Sequence, residues 1–199
     1  MTQKPMFIVL DGIDGSGTTT HCNLLKGFLE TREIKVHLTQ EPSNSEIGHL
    51  VRKFLKNKAI PPITDALLFA ADRSLHFYDE INKKLEEGYI VISDRYIESS
   101  IIYQSLQSEL VSIKWLKTIN KFVGLPDLTI ILDIDPKIAL ARKTQQVLEK
   151  FEDMPFLDKV RALYLKRAKL EKYAVVNSDD IIEFVQDKIQ QIVLQKLKE

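Results

Sequence analysis

The sequence predicts a parallel α/β sheet covered by helices on both faces. Two observations carry that prediction. Short β-branched runs alternate with longer stretches of helical period, and the first run ends in a glycine-rich turn that opens directly into a helix. The runs are MFIVLD (6–11), KVHLT (35–39), YIVIS (89–93), LTIILDI (128–134) and YAVVN (173–177), which gives five strands. Leu24, Leu25, Phe28 and Leu29 keep helical spacing after the first strand, Ile47, Leu50, Val51 and Phe54 after the second, and Ile182, Val185, Ile189 and Val193 in the last helix. Pro61-Pro62, Pro126 and Pro136 punctuate helix boundaries. The polar segment KTQQVLEKFED (143–153) lies between two helical patterns and reads equally as a mobile flap or as a solvated helix.

A chain of 199 residues builds one sizeable α/β core, so a single domain spanning 1–199 is expected. Lys plus Arg and Asp plus Glu are equal at 28 each, which removes the broad electrostatic argument for a nucleic acid or an anionic membrane as partner. Any phosphate binding must then be local. The apolar run near the N-terminus is too short for a signal-peptide core and no later run reaches spanning length, so a cytoplasmic protein without a membrane partner is expected. Cys22, the single cysteine, falls in the first helix and reads as a buried small apolar residue, with disulfides and thiolate zinc sites excluded. His21, His37, His49 and His76 are dispersed without metal spacing and read as structural.

The stretch GIDGSGTTT (12–20) has the frame of a phosphate-binding loop in its required strand-loop-helix context. Gly12, Gly15 and Gly17 permit tight turns and close approach. Successive N–H groups from Gly12 through Ile13, Asp14, Gly15, Ser16, Gly17 and Thr18, aided by the helix N-terminus, are expected to cradle the β-phosphate of a nucleotide. Thr19 holds the position whose hydroxyl ligates Mg²⁺, and Thr20 suits a phosphate oxygen or the helix backbone. Thr18, however, stands where the motif has lysine. Loss of that cation without replacement costs a phosphoryl-transfer enzyme about 2 to 4 kcal/mol of transition-state stabilisation. The loop therefore fits either a working phosphotransferase with a substitute cation or a nucleotide-binding module that does not turn over.

Three further stretches fall at or near strand ends, where open parallel sheets bind ligands: TQEPS (39–43), SDRY (93–96) and LLFAADR (67–73). Asp94 suits Mg²⁺ or its water, and Arg95 a phosphate; the alternative is a surface ion pair. Phe69 and Arg73 are four apart on one helical face, which fits a ring and a guanidinium on a base, or core plus surface charge. Asp133 and Asp135 fit caps on the turn after the fourth strand better than metal ligands.

From about Phe7 to the last helix the sequence resembles the thymidylate kinase family. The residues carrying the resemblance are GIDGSG with TT, EP at 41–42, LLFAADR, DRY followed by SS and Y, GLPDLTIILDID, and FLDKVRALY (156–164). The resemblance implies the P-loop nucleoside monophosphate kinase fold with sheet order 2-3-1-4-5, a homodimer, and Mg²⁺-dependent in-line transfer of the ATP γ-phosphate to dTMP, a step toward dTTP. It implies that Phe69 stacks on thymine, Arg73 bonds its O4, Ser99 and Ser100 meet the base edge, and Tyr103 crowds the 2′ position. It also implies that Arg52 and Arg95 hold the acceptor phosphate and that Asp14 lies beside the 3′-hydroxyl and the metal; Asp94, from its place at the end of the third strand, is expected to act on the metal through water. Arg142 is expected over adenine, with 143–153 as the lid. Two departures stand out: Thr18 in place of lysine, and Gln40 in place of an arginine often found before EP. The substitute cation is divided among Arg95, Arg142, Lys143 and Lys150. The resulting reading is an active dTMP kinase, with a kinase for another nucleoside monophosphate and a silent nucleotide-binding module as its rivals.

Overall fold

The computed structural model describes residues 4–55, 60–142 and 153–199. Its strands are β1 (Met6–Gly12), β2 (Val36–Gln40), β3 (Ile90–Asp94), β4 (Leu128–Asp133) and β5 (Ala174–Asn177), each ending within one residue of the run expected for it. All pairings are parallel, in the order β2-β3-β1-β4-β5. The order expected from the family resemblance is therefore the order observed.

Every residue of β1 and of β3 is buried, so both faces of the sheet centre are covered, as continuous apolar runs in parallel strands require. The twofold alternation of β1 sorts its side chains. Met6, Ile8 and Leu10 pack with Cys22, Leu25 and Leu29 of α1 (Thr18–Glu30) and with Val185, Ile189 and Val193 of α9 (Ile182–Lys196). Phe7 and Val9 face the other way, toward Ala66 of α3 (Pro62–His76), Ile97 and Ile101 of α5 (Ile97–Ser105), and Leu116 of α6 (Ile113–Ile119). A third cluster joins Ile131 and Ile134 to Ala139 of α7 (Pro136–Arg142) and to Leu157, Val160 and Tyr164 of α8 (Met154–Glu171). The remaining described helices are α2 (Glu46–Leu55) and the short α4 (Asn82–Glu86). Cys22 is buried in the first cluster, and burial pushes its thiol pKa well up, in keeping with an inert packing residue.

Between α3 and α4 the chain makes one π-helical turn, Phe77–Ile81, which nothing in the sequence signals. It packs the Phe77 ring so close to Gly124 that a Cβ there would lie 2.6 Å from ring carbons. Among the described residues, no helix is long and apolar enough to cross a membrane.

A buried ion pair ties α5 to α8. Arg167 donates to both oxygens of Glu98, at 2.6 and 2.7 Å, and the Tyr173 hydroxyl donates to Glu98 Oε1 at 3.0 Å. Replacing Glu98 by Ala strands a buried guanidinium, and the expected loss is about 3 to 5 kcal/mol of unfolding free energy in urea. The double variant Glu98→Leu with Arg167→Met is expected to recover most of that loss, because it removes both charges together.

Candidate active site

The loop after β1 is shaped by backbone geometry that its glycines alone accept. Gly15 and Gly17 sit at φ 83° and 95°, in the left-handed region, and a Cβ on Gly12 would lie 2.6 Å from the Leu132 carbonyl. Gly17 caps α1 without any side-chain hydrogen bond to the first turn, so the amides of that turn point into the cleft without a capping group. Ile13 anchors the loop in the core, and its carbonyl accepts from Ser16 N at 3.0 Å. The Ser16 hydroxyl is buried with no partner among the described residues.

At the end of β3 the chain turns through Arg95, a non-glycine residue at φ 71°. Such a conformation costs about 1 to 3 kcal/mol and is held here from both sides: Arg95 N donates to the Leu10 carbonyl at 2.9 Å, and Ser93 Oγ donates to the Arg95 carbonyl at 2.7 Å. The turn aims the guanidinium at the glycine loop. Its Nη2 donates to Asp14 Oδ1 at 2.6 Å and its Nη1 to Ser99 Oγ at 3.1 Å. Burial opposes its charge, but Asp14 and other acidic neighbours hold it protonated, with a pKa well above the ordinary value. Next to it, Asp94 Oδ2 accepts from the Thr19 hydroxyl, while Asp94 Oδ1 is buried without a partner among the described residues. An orphaned carboxylate oxygen beside a hydroxyl at the foot of a phosphate loop fits a divalent cation or its water.

Beneath this cluster lies Asp11, which the sequence reading passed over. Gly12 N, Ser99 N, Ser99 Oγ and the Tyr164 hydroxyl all donate to its carboxylate, at 2.6 to 3.0 Å. Burial raises its pKa, against the lowering effect of Arg95 and these donors. Asp11 thus ties the root of the loop to α5 and α8. It precedes the motif by one residue, and no spacing rule flags it.

Two clefts open at the carboxyl edge of the sheet and share Asp14 and Arg95 in their walls. The first runs over the loop past Gly15, Gly17, Thr18, Thr19 and Thr20 to Arg142, Ser178 and Asp180. Arg142 Nη2 donates to the Ser178 carbonyl at 3.0 Å. Among the described residues, Arg95 and Arg142 are the arginine or lysine side chains lining this cleft, and Lys143 and Lys150 lie outside the described residues, as does the expected lid apart from Asp153. His21, expected to be structural, also lines it, with Nδ1 on Gln186 Oε1 at 2.8 Å. The second cleft, about 180 Å³, is walled by Phe69, Arg73, Ser100, Tyr103 and Gln104, with Glu41 and Pro42 opposite. Gln104 Oε1, another residue the sequence reading missed, is buried with no partner among the described residues.

The thymidylate kinase family model matches residues 10–189. A probable thymidylate kinase of Pyrobaculum aerophilum is 49% identical over 174 residues, covering 86% of this chain and 88% of that one. That of Pyrobaculum calidifontis is 48% identical, covering 87% and 88%, and that of Methanosphaera stadtmanae is 44% identical over 199 residues, covering 97% and 100%. The chain belongs to the thymidylate kinase family.

The expected residues fall as follows. Asp14, Phe69, Arg73, Arg95, Ser99, Ser100 and Tyr103 line the second cleft together, although the Ser99 hydroxyl is engaged by Asp11, Arg95 and Tyr164. Arg52 does not line it; its guanidinium donates to the carbonyls of Pro42 and Ser43, bracing the loop that does. Asp135 caps the turn after β4, accepting from Lys137 N at 2.8 Å, while Asp133 takes a bidentate pair from Arg161 at 2.7 and 3.0 Å.

A Gly15→Ala change would combine a left-handed backbone with a Cβ driven into the Ala139 carbonyl of α7. Strain of about 1 to 3 kcal/mol is expected to appear as a loss of ATP affinity of about five- to 150-fold by titration calorimetry, with dTMP affinity changed far less.

Proposed function

We propose that this kinase transfers the γ-phosphate of ATP to dTMP, giving ADP and dTDP. The observation that carries the reading is the junction of the two clefts at Asp14 and Arg95. ATP laid along the first cleft, with its β-phosphate on the loop amides, presents its γ-phosphate to that junction. dTMP in the second cleft, with its base between Phe69 and Arg73, presents its phosphate from the other side.

An oxygen of the acceptor phosphate attacks the γ-phosphorus while the bond to the β,γ-bridging oxygen breaks. The acceptor is already an anion, so no general base is needed, and the residues act by positioning and charge. The loop amides from Gly12 to Thr20 hold the donor, and Arg142 covers its base. Arg95 spans the acceptor phosphate and the moving phosphoryl group, which makes it, of the described cations, the best placed to replace the lysine absent at position 18. Asp14 orients that guanidinium and receives the 3′-hydroxyl. When bound, Mg²⁺ supplies positive charge to the β- and γ-phosphate oxygens, and Thr19, with Asp94 through water, would hold it. Tyr103 excludes a 2′-hydroxyl, and Ser99 and Ser100 border the base edge.

A homodimer and a cytoplasmic location belong to the same reading. Support for the dimer comes from α3, where Ile63, Leu67 and Leu75 are exposed at helical spacing in line with Tyr78.

Steady-state ADP release with dTMP against other monophosphates tests the substrate, and a paired substitution tests the roles. Arg95→Ala is expected to lower kcat and kcat/KM together by about a hundredfold or more, the scale of a lost charge stabiliser. Arg73→Ala is expected to raise the KM for dTMP with kcat largely kept. If Arg95→Ala raised only the KM for dTMP, Arg95 would be a ground-state anchor and not the substitute cation.

A further inference from the structure

Behind the second cleft a buried chain of polar groups runs from Arg73 to the protein surface. Arg73 is 1% exposed, and its Nη2 pairs with Glu41 Oε2 at 2.7 Å while Nη1 donates to Asn120 Oδ1, also at 2.7 Å. The other oxygen of Glu41 lies 3.2 Å from His76 Nδ1. His76 Nε2 lies 2.7 Å from Thr39 Oγ1 and 3.7 Å from Glu80 Oε2, and Glu80 Oε1 lies 2.8 Å from His37 Nε2. The π-helical turn puts Glu80 in this chain. Glu80 has its pKa lowered to about 2, chiefly by the hydrogen bond from His37, and is a fixed anion.

We propose that His76, acting through Glu41, is a positioning residue for recognition of the acceptor base. The inference rests on the reading above that Arg73 meets the base. A carboxylate only accepts hydrogen bonds, so Nδ1 of His76 is the donor to Glu41, and that bond decides which way the Glu41 carboxylate is turned. Glu41 neutralises the charge of the Arg73 guanidinium and, with Asn120, the Ser100 hydroxyl and the Tyr96 carbonyl, fixes its plane. A neutralised guanidinium in a dry wall attracts a second phosphate weakly, yet still presents N–H groups to a carbonyl oxygen. It rejects a ring amino group, because donor would then meet donor. Selection of a keto pyrimidine over an amino pyrimidine is thus set behind the arginine that reads it, by Glu41 and by the His76 that turns it. The side chains of His76, Glu41 and Arg73 do not line the donor cleft, so the KM for ATP serves as the control when they are changed.

The test is the ratio of kcat/KM for dTMP to that for dCMP, measured with KM for ATP in His76→Leu, His76→Asn, Glu41→Gln and Arg73→Gln. His76→Leu and Glu41→Gln are expected to narrow the dTMP to dCMP ratio about tenfold or more with KM for ATP unchanged, the scale of one buried polar group left unpaired. His76→Asn, whose amide replaces the Nδ1 donor, is expected to restore most of it. Either His76→Leu or Glu41→Gln recovered folded with an unchanged ratio overturns the proposal, and Glu41→Gln decides alone if His76→Leu does not fold. If Arg73→Gln leaves the ratio intact, the base-site reading falls and takes the proposal with it. If Arg73→Gln collapses the ratio and the His76 and Glu41 variants do not, only the proposal falls.

Discussion

The contact between Arg95 and Asp14 is the constraint on which the rest of the site depends. One partner stands at the end of a buried strand in a backbone conformation that costs energy, and the other in a loop shaped by left-handed glycines. β1 and β3 are adjacent, with Leu10 opposite Asp94, so the loops leaving them emerge side by side and their charged residues meet. The sheet order is therefore a functional fact: any topology separating these two strands would part the arginine from the phosphate loop.

Around that pair the protein uses charge sparingly. Its net charge is zero, and its buried arginines, Arg73 and Arg167, are matched to Glu41 and Glu98, as the half-buried Arg95 is to Asp14. In a dry interior an unmatched charge is costly, so each guanidinium is admitted with a partner and with hydrogen bonds that fix its plane. The three pairs divide the work. Arg167 joins helices, Arg73 stands in the wall of one cleft, and Arg95 stands where both clefts meet.

Much of this was legible in the sequence because it rests on short-range rules. The five strands announced themselves as β-branched runs, and the glycines at 12, 15 and 17 announced a loop whose left-handed turns at Gly15 and Gly17 were then found. The spacing of four put Phe69 and Arg73 on one face, and the family resemblance made of them a base site. What escaped depends on contacts between residues far apart in the chain. Asp11 gains its meaning from Ser99 and Tyr164, and His76 from Glu41 and Thr39. The π-helical turn that brings Glu80 to both histidines has no sequence signature, because it differs from an α-helix by one inserted residue. Histidines scattered over 21, 37 and 76 read as unrelated, yet two of them end on one glutamate and the third lines the cleft over the phosphate loop.

The central claim is that donor and acceptor meet head to head at Arg95 and Asp14. Titration calorimetry with adenosine and thymidine joined 5′ to 5′ through a phosphate chain tests it most directly. If the two clefts converge, one such molecule fills both and binds about 10² to 10⁴ times more tightly than ATP or dTMP alone, with the advantage lost when the chain is too short to span the junction. Affinity no greater than that of ATP at every chain length would contradict the account.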